Sequence, residues 1–272
     1  KAASATPQTR RLYRYLGNRL GDREHSQRGR PKHARFLMDA LKNKVNPGDR
    51  VLDIGTGWMT FYSVCLTSAM KVKATAFDVI DNRQFGATQQ YFANRPELPG
   101  ADAVRQSRSF DELHETLGID YLLAPSLESL PDNHYQAAFS IATLEHVPRS
   151  VIREQIIDTF RVLKPGGYAV HRIDLTDHLS HYDKSAHPRQ FLSWDASWPI
   201  LFRNEVQYVN RLMRSDFLEM FTDAGFTIEH QESNIAPLNG MRVAEHFRHR
   251  SRDDLESKSL VVICGKPTEE KP

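Results

Sequence analysis

Short apolar runs alternate with helical patterns through most of this sequence. Residues 51–54 and 72–77 are apolar runs of strand length, and the apolar positions between them, at 61, 64 and 65, have helical spacing. A strand, a helix and a second strand in this order form a βαβ unit, which pairs its strands in parallel through a right-handed crossover. The pattern therefore predicts an α/β fold built on a mostly parallel sheet.

The same alternation continues to the end of the chain. Further strands are predicted at 119–123, 137–141, 168–173, 226–230 and 260–264. One helix is predicted over 152–163, where apolar residues recur on one face. Another is expected to begin with Ser215 or Asp216 as its N-cap and to end at Gly225. Together these elements indicate a doubly wound sheet with helices on both faces.

Two regions lie outside this alternation. Residues 1–45 are interpreted as an N-terminal helical cap, because positions 8–45 have helical spacing in two stretches. Residues 174–212, rich in histidine, aspartate and aromatic side chains, follow the fifth strand and are interpreted as an inserted lid. Open α/β sheets bind ligands at the carboxyl ends of their strands. The expected organisation is thus a cap over 1–45 and one domain over 46–272, with its insertion beside the ligand site.

Composition excludes several classes of protein. The 272 residues carry 36 basic and 34 acidic side chains, which gives a formal charge of +2. This net charge is too small for a protein that binds nucleic acid over its whole surface. No apolar run reaches the roughly 20 residues of a membrane span, and the two cysteines, Cys65 and Cys264, fall in a predicted helix and a predicted strand. A cytoplasmic location is expected. The charge is uneven, however, because residues 1–35 hold ten basic side chains against two acidic ones.

A glycine-containing turn follows the first strand, in the segment Asp53-Ile54-Gly55-Thr56-Gly57. Glycine permits a tight turn and a close approach of a ligand to the backbone. Asp78 ends the second strand 21 residues after Gly57, at the place where a carboxylate accepts hydrogen bonds from ribose hydroxyls. A bulky Trp58, Thr60 in place of a third glycine and the nearby charge of Asp53 disfavour a pyrophosphate and favour a cationic ligand group.

At this point the chain resembles the class I S-adenosylmethionine-dependent methyltransferases. The turn matches the family's first motif and Asp78 its ribose-binding acid, while 127–131, 139–147 and 163–167 are similar to three further motifs in order. The resemblance implies a Rossmann-like, seven-stranded sheet and S-adenosyl-L-methionine as cofactor. It places the cofactor-binding residues at Asp53, Gly55, Thr56, Gly57, Trp58, Asp78, Val79, Ser126, Leu127 and Ile141. The chain departs from the family pattern at Ser126, where an acid is usual. It also departs at Trp58, where a small residue is usual, although one subgroup of the family has the same "GTGW" turn.

Methyl transfer requires alignment of a nucleophile and, for a hydroxyl, removal of its proton. Candidates follow strands four and five: His146, and then His171, Asp174, Asp177 and His178. The working hypothesis is that His171 or His178, oriented by Asp174 or Asp177, deprotonates a substrate hydroxyl. Core packing or capping roles remain alternatives for each, and Arg211 and Arg214 are candidates to pair a substrate carboxylate or phosphate.

The sequence therefore predicts a methyltransferase acting on a small molecule or saccharide, most readily at oxygen. Four alternatives stay open. The His/Asp segment has the donor types for a metal site, although no metal is assigned; the cofactor could be a nicotinamide; the basic N-terminus could recruit RNA; and the protein could bind the cofactor without catalysis. Nucleic acid is disfavoured because Ala142-Thr143-Leu144-Glu145 follows strand four in place of the motif of amino-methylating nucleic-acid enzymes. The oligomeric state is not predicted.

Overall fold

The computed structural model describes residues 29–195 and 208–268. The first 28 residues of the predicted cap and positions 196–207 of the predicted insertion lie outside the described residues. In chain order the elements are α1 (Arg30–Leu41), β1 (Arg50–Ile54), α2 (Phe61–Met70), β2 (Lys73–Asp78), α3 (Phe85–Ala93), α4 (Ala101–Gln106), α5 (Phe110–Leu117), β3 (Ile119–Leu123), β4 (Tyr135–Ile141), α6 (Ile152–Val162), β5 (Leu163–Asp174), α7 (Leu179–Tyr182), α8 (Arg214–Asp223), β6 (Thr227–Glu232), α9 (Arg252–Glu256) and β7 (Ser259–Gly265).

The strands form one seven-stranded sheet in the order β3-β2-β1-β4-β5-β7-β6. Strands β1 to β5 pair in parallel, whereas β7 runs antiparallel to both β5 and β6. The direction in which successive strands are added reverses between β1 and β4. Strands β2 and β3 lie beyond β1 on one side, and β5, β7 and β6 lie beyond β4 on the other. Such a switch point leaves a crevice at the carboxyl ends of the two strands, where doubly wound sheets bind their ligands.

Both faces of the sheet are covered, as the continuous apolar character of the predicted strands requires. Alternate residues of β1 enter different cores: Val51 packs with α1 to α5 on one face, and Leu52 packs with α6 and α8 on the other. Asp53 follows Val51 on the first face and is 2% exposed. The strand alternation thus brings a carboxylate under the switch point.

The predicted fold class is confirmed: the sheet is Rossmann-like and mostly parallel, and each of its seven strands overlaps a predicted one, although β5 already begins at Leu163 rather than at 168. The described part of the cap is α1, which packs on α2. In the insertion, Phe191 and Leu192 form a small third core with Met213. Among the described residues, no helix combines the length and the apolar character that crossing a membrane demands.

The start of α8 also differs from the prediction. Helix α8 has Met213 as its N-cap, and the Asp216 carboxylate accepts a 2.8 Å hydrogen bond from the Met213 backbone N–H. Ser215, the other predicted cap, instead donates its hydroxyl to Asp254 Oδ2 at 2.6 Å. A residue from α9, distant in sequence, has therefore recruited the serine that the local pattern assigned to the cap.

Candidate active site

The loop after β1 is fixed by the end of β2. The backbone N–H groups of Gly55 and Thr56 donate to the Phe77 carbonyl at 2.9 and 3.0 Å, and the Gly57 N–H donates to Asp78 Oδ2 at 3.0 Å. Gly55 and Gly57 have φ of +74° and +70°, in the left-handed region that glycine adopts without strain. The predicted turn and the predicted ribose acid are thus in direct contact.

The two glycines are needed for different physical reasons. A Cβ on Gly55 would lie 2.3 Å from Thr143 Cγ2, whereas a Cβ on Gly57 would meet nothing within 4 Å. Gly55 therefore lets the loop pack against the segment after β4. Gly57 borders open space, which is where a cofactor would approach the backbone.

We expect Gly55→Ala to lower the free energy of unfolding by about 2–4 kcal/mol, because overpacking adds to left-handed strain. Gly57→Ala should cost only about 1–2 kcal/mol, while weakening the binding of S-adenosylhomocysteine by about tenfold or more. Thermal denaturation and calorimetric titration would measure the two effects. In the double variant Gly55→Ala/Thr143→Ala, removal of the clashing methyl should restore part of the stability. Equal stability losses in the two single variants would contradict this division of roles.

Asp53 holds the base of the loop. Its Oδ2 accepts hydrogen bonds from the hydroxyls of Thr56 at 2.8 Å and Ser63 at 2.7 Å. Burial raises the pKa of Asp53 to about 6, although both hydroxyl hydrogen bonds act in the opposite direction. A cation placed beside this carboxylate would favour its ionised form, so the position suits the ammonium or sulfonium of a nucleoside cofactor.

Asp78 and the residues after it form the predicted nucleoside side of the site. The Oδ1 of Asp78 accepts hydrogen bonds from the backbone of Val79 at 2.8 Å and Ile80 at 3.3 Å. Val79 and Ile80 are 56% and 44% exposed, which is unusual for large apolar side chains. An exposed apolar pair beside the predicted ribose acid is a surface suited to the flat face of a purine.

The remaining predicted cofactor residues lie at different depths. Ser126 is exposed, and its hydroxyl accepts a 3.4 Å hydrogen bond from the Glu128 N–H. Ile141 is 9% exposed at the end of β4. The Leu127 side chain is 1% exposed and lies within the core on the α6 face, so it is not accessible to an adenine.

Trp58 has a neighbour that sequence reasoning missed. The guanidinium carbon of Arg30 in α1 lies 5.7 Å from the centre of the Trp58 ring and 5.9 Å from that of Tyr62. The cap thus places a cation over the glycine loop, where it could pair with the carboxylate of a bound amino-acid cofactor. The only sequence signal was the excess of basic residues near the N-terminus.

A tight turn follows β4 and leads into a buried acid that was not predicted as a site residue. Ala142 has φ of +53°, and its N–H donates to the Arg172 carbonyl at 2.8 Å. Three residues later the Glu145 side chain is 1% exposed, and neither of its carboxyl oxygens has a hydrogen-bond partner among the described residues. Burial raises the pKa of Glu145 to about 8 and the charge of Asp174 adds to the increase, whereas nearby backbone N–H groups and the charge of Arg172 oppose it. An acid within the apolar 141–147 run was the available signal.

Glu145→Gln is expected to stabilise the protein increasingly as pH rises from about 4.5 to 8. The unfolded carboxyl loses its proton near its ordinary pKa, while the folded one keeps it until pH reaches its raised pKa. The acid thus costs stability above pH 4.5, on the order of 4 kcal/mol at pH 8, since each pKa unit is about 1.4 kcal/mol. Urea denaturation at several pH values would measure this, with exposed Glu128→Gln as control. A difference that stays constant with pH would contradict the raised pKa.

Three histidines meet beyond the ends of β4 and β5. The ring of His178 lies 5.2 Å from that of His146 and is stacked on that of His181 at 4.9 Å. His146 Nδ1 is 2.7 Å from the Tyr208 carbonyl oxygen, and His181 Nε2 is 3.8 Å from Asp174 Oδ2. Burial lowers the pKa of His178 to about 4, and the neighbouring histidines add to this. His178 is therefore neutral at pH 7 and in the form that accepts a proton.

His171 has a different position from the one its predicted role needs. It is 1% exposed, its ring is stacked on Phe221 at 5.1 Å, and its Nδ1 is 2.8 Å from Ser140 Oγ. Burial lowers its pKa to about 3. Because this ring lies in the core on the α8 face, away from the crevice, the geometry does not support His171 as the general base. The structure gives it the core-packing role that the sequence left as its alternative.

Two other predicted candidates have structural partners. Asp177 Oδ1 accepts from the Leu179 N–H at 3.0 Å and so stabilises the start of α7, and it does not orient His178. Arg214 donates to Gln231 Oε1 at 2.6 Å. Across the described residues, no three His, Cys, Asp or Glu side chains are grouped closely enough to hold a metal ion.

The first part of the insertion is anchored by a buried cation. Arg189 is 0% exposed and donates hydrogen bonds to the carbonyls of Leu175, Asp254 and Leu255 and to the sulfur of Met213. Burial lowers its pKa to about 10. These hydrogen bonds fix the loop that carries His178, at Arg189, to the start of α8 and to α9.

The far end of the insertion is tied to the turn after β4. Asn210 donates its side-chain amide to the carbonyls of Leu144 and Val147 at 2.7 and 3.1 Å, and Arg149 donates to the Asn210 carbonyl at 2.8 Å. The two carbonyls flank Glu145 and His146 in the chain. Asn210 therefore fixes the position of the segment that holds Glu145 and His146.

A seven-stranded sheet with this order, a glycine loop held by an acid at the end of β2, and a turn after β4 define a class I methyltransferase. A family model described as a methyltransferase domain matches residues 23–231. The chain belongs to this family and is an S-adenosylmethionine-dependent methyltransferase, with S-adenosyl-L-methionine as its cofactor.

Solved structures show the same fold at low sequence identity. A complex from Haloferax volcanii between the Trm112 methyltransferase activator and a methyltransferase has a TM-score of 0.53 at 14% identity, covering 94% of this chain and 97% of that one. An S-adenosylmethionine-dependent methyltransferase from Methanosarcina mazei has a TM-score of 0.52 at 19% identity, covering 84% and 97%. Phosphoethanolamine N-methyltransferase 2 from Haemonchus contortus, in complex with S-adenosyl-L-methionine, has a TM-score of 0.53 at 15% identity, covering 85% of this chain and 52% of that one. No curated protein matches the sequence.

Proposed function

We propose that this enzyme methylates a hydroxyl oxygen of a small molecule or saccharide, with His178 as the general base. The observation that carries this proposal is the position of the His178 ring, half-buried between His146 and His181 at the carboxyl ends of β4 and β5. This edge of the sheet also holds the glycine loop. A proton acceptor here would stand beside the acceptor of the methyl group.

Methyl transfer is an in-line displacement, and we assign each site residue one role in it. The bound cofactor supplies an electrophilic methyl group on a sulfonium. Gly57 and Asp78 position the nucleoside part, and Asp53 favours the cationic part. His178 would accept the proton that the acceptor hydroxyl loses when its oxygen takes the methyl group. Asp174 favours the protonated form of His178, since its charge raises that pKa.

Further parts of this proposal rest on narrower observations. The described part of the cap, α1, contributes Arg30 to the cofactor side, which supports a cap over 1–45 and a domain over 46–272. The insertion at 174–212 carries His178 and supports the assignment of a lid. Cys65 and Cys264 are both free and buried, which supports a reducing compartment such as the cytoplasm.

Methyl-labelled S-adenosylmethionine, incubated with the full chain and a set of small hydroxylated acceptors, tests the proposal. The expected result is a labelled methyl ether or ester identified by mass spectrometry. Amines of matching size form the comparison set, and RNA a second one. Labelling of amines or RNA alone would overturn O-methylation while leaving the family assignment intact.

A further inference from the structure

We propose that the acceptor carries an acidic group, a carboxylate or a phosphate, and that Arg172 and Lys258 bind it in a cavity at the carboxyl end of β5. This inference rests on the proposed function, because it concerns the acceptor side of the same site. The cavity has a volume of about 270 Å³, and its polar lining includes Arg172, Ser180, His181, Asn234, Lys258 and Ser259. That volume holds an acidic group and a few carbon atoms, close to the lower end of small-ligand sites.

The cavity adjoins the proposed base. His181 lines the cavity and is stacked on His178 at 4.9 Å, while Arg172 precedes Asp174 by two residues on β5. An acceptor whose acidic end occupies the cavity would therefore extend its hydroxyl toward the His178 ring. The proposed acceptor is a small hydroxylated acid, either a hydroxycarboxylate or a phosphorylated alcohol.

Both cations are available for a ligand and stand on rigid backbone. Within the described part of the chain, neither the Arg172 guanidinium nor the Lys258 ammonium has a hydrogen-bond or ion-pair partner. The backbone of Arg172 pairs with Ile141 of β4 and Val261 of β7. Lys258 is held by hydrogen bonds of 2.8 Å from its N–H to the Asn234 carbonyl and 3.1 Å from the Leu175 N–H to its own carbonyl. Preorganised cations of this kind favour an oxyanion.

The nearby acids do not cancel this charge. Glu145, the buried acid near Arg172, has its pKa raised to about 8 and is mostly neutral at pH 7. Asp174 also lines the cavity, but its Oδ1 accepts from the Thr176 N–H at 2.9 Å and its Oδ2 faces His181 at 3.8 Å. Two cations against one carboxylate leave a net positive charge at the cavity.

A serine hydroxyl adds a directed donor. Ser259 Oγ accepts two hydrogen bonds from Asn234, from its backbone N–H at 3.3 Å and from its side-chain amide at 3.0 Å. With its lone pairs used in this way, the Ser259 hydroxyl hydrogen is left to be donated to a ligand oxygen. Two cations and a free hydroxyl donor form a set suited to the oxygens of a carboxylate or phosphate.

Anion binding to the full chain, saturated with S-adenosylhomocysteine, tests the inference directly. The probes are inorganic phosphate and acetate, titrated at constant ionic strength against chloride. Phosphate or acetate is expected to raise the melting temperature, and Arg172→Gln and Lys258→Gln should each weaken that binding by about tenfold. Arg105→Gln on α4 and Lys73→Gln at the amino end of β2 are matched controls that should leave it unchanged. Binding that is absent, or equal in all variants, would overturn the inference.

Activity separates this inference from the proposed function. With hydroxycarboxylates, sugar phosphates and neutral sugars as acceptors, the acids should be preferred, and Arg172→Gln and Lys258→Gln should raise KM by about tenfold with a smaller effect on kcat. Preference for carboxylates or for phosphates identifies the source of the anion. Methylation of neutral sugars alone would overturn the anion site and keep O-methylation. Anion binding without methylation of any hydroxyl would overturn O-methylation and keep the anion site.

Discussion

His178→Ala is expected to lower kcat by about 10²–10⁴-fold, the usual contribution of a positioned general base. The affinity for S-adenosylhomocysteine should stay unchanged, because His178 belongs to the loop after β5 and the cofactor loop follows β1. Burial lowers the pKa of His178 to about 4, so protonation of this base should reduce kcat only below about pH 5. Steady-state kinetics with the acceptor found by labelling, together with calorimetry, would measure both quantities.

Two other histidines provide the controls. His230 is exposed on β6, and His230→Ala should leave kcat unchanged. His171→Ala should lower the melting temperature because it opens a cavity beside Phe221, and it should leave kcat nearly unchanged below that temperature. A His178→Ala enzyme that keeps kcat within about threefold of the wild type would remove His178 from the mechanism.

Arg189→Met should lower the free energy of unfolding by about 3–5 kcal/mol. Methionine fills much of the same space but leaves the carbonyls of Leu175, Asp254 and Leu255 buried without their donor. Each buried carbonyl without a partner costs about 1–3 kcal/mol. Because the same hydrogen bonds anchor the loop that carries His178, kcat should also fall.

Chemical denaturation would measure this loss, with a surface arginine as the matched control. Arg153 pairs with Asp223 at 2.7 Å, and both side chains are about half exposed, at 53% and 49%. Arg153→Met should therefore cost less than about 1 kcal/mol. If the two variants lost the same stability, the anchoring role assigned to Arg189 would be wrong.

Local sequence patterns predicted the geometry of the glycine loop and of the acid beside it. Gly55, Gly57 and Asp78 are constrained by a turn and by the length of one βαβ unit, both of which are short-range properties. The structure places the Asp78 carboxylate 3.0 Å from the Gly57 N–H, as the 21-residue spacing implied. The depth of Leu127 was missed, because an apolar residue beside a ligand and one beneath it look the same in a sequence.

The acceptor half could not be predicted in the same way. His171 and Arg172 are adjacent on β5, so their side chains point to opposite faces of the sheet. Both faces are covered by helices, and the alternation of β5 therefore does not tell which face borders the crevice. The packing of α8 decided that His171 is buried and that Arg172 reaches the cavity.

The burial of Glu145 and Arg189 could not be predicted from the sequence either. A sequence identifies each as a charged residue, for which exposure is the ordinary expectation. Glu145 is buried behind Asn210, and Arg189 is enclosed by carbonyls from α9, so their surroundings come from residues roughly 65 positions away.

The sequence by itself determined the order of strands and helices, the glycine loop and the acid that completes it, because apolar periodicity and turn chemistry act between near neighbours. The tertiary structure alone decided which histidine borders the crevice, which acid loses its charge and which cations meet in one cavity. Those properties depend on burial and on distances between charges, and both arise only when segments far apart in the chain pack together.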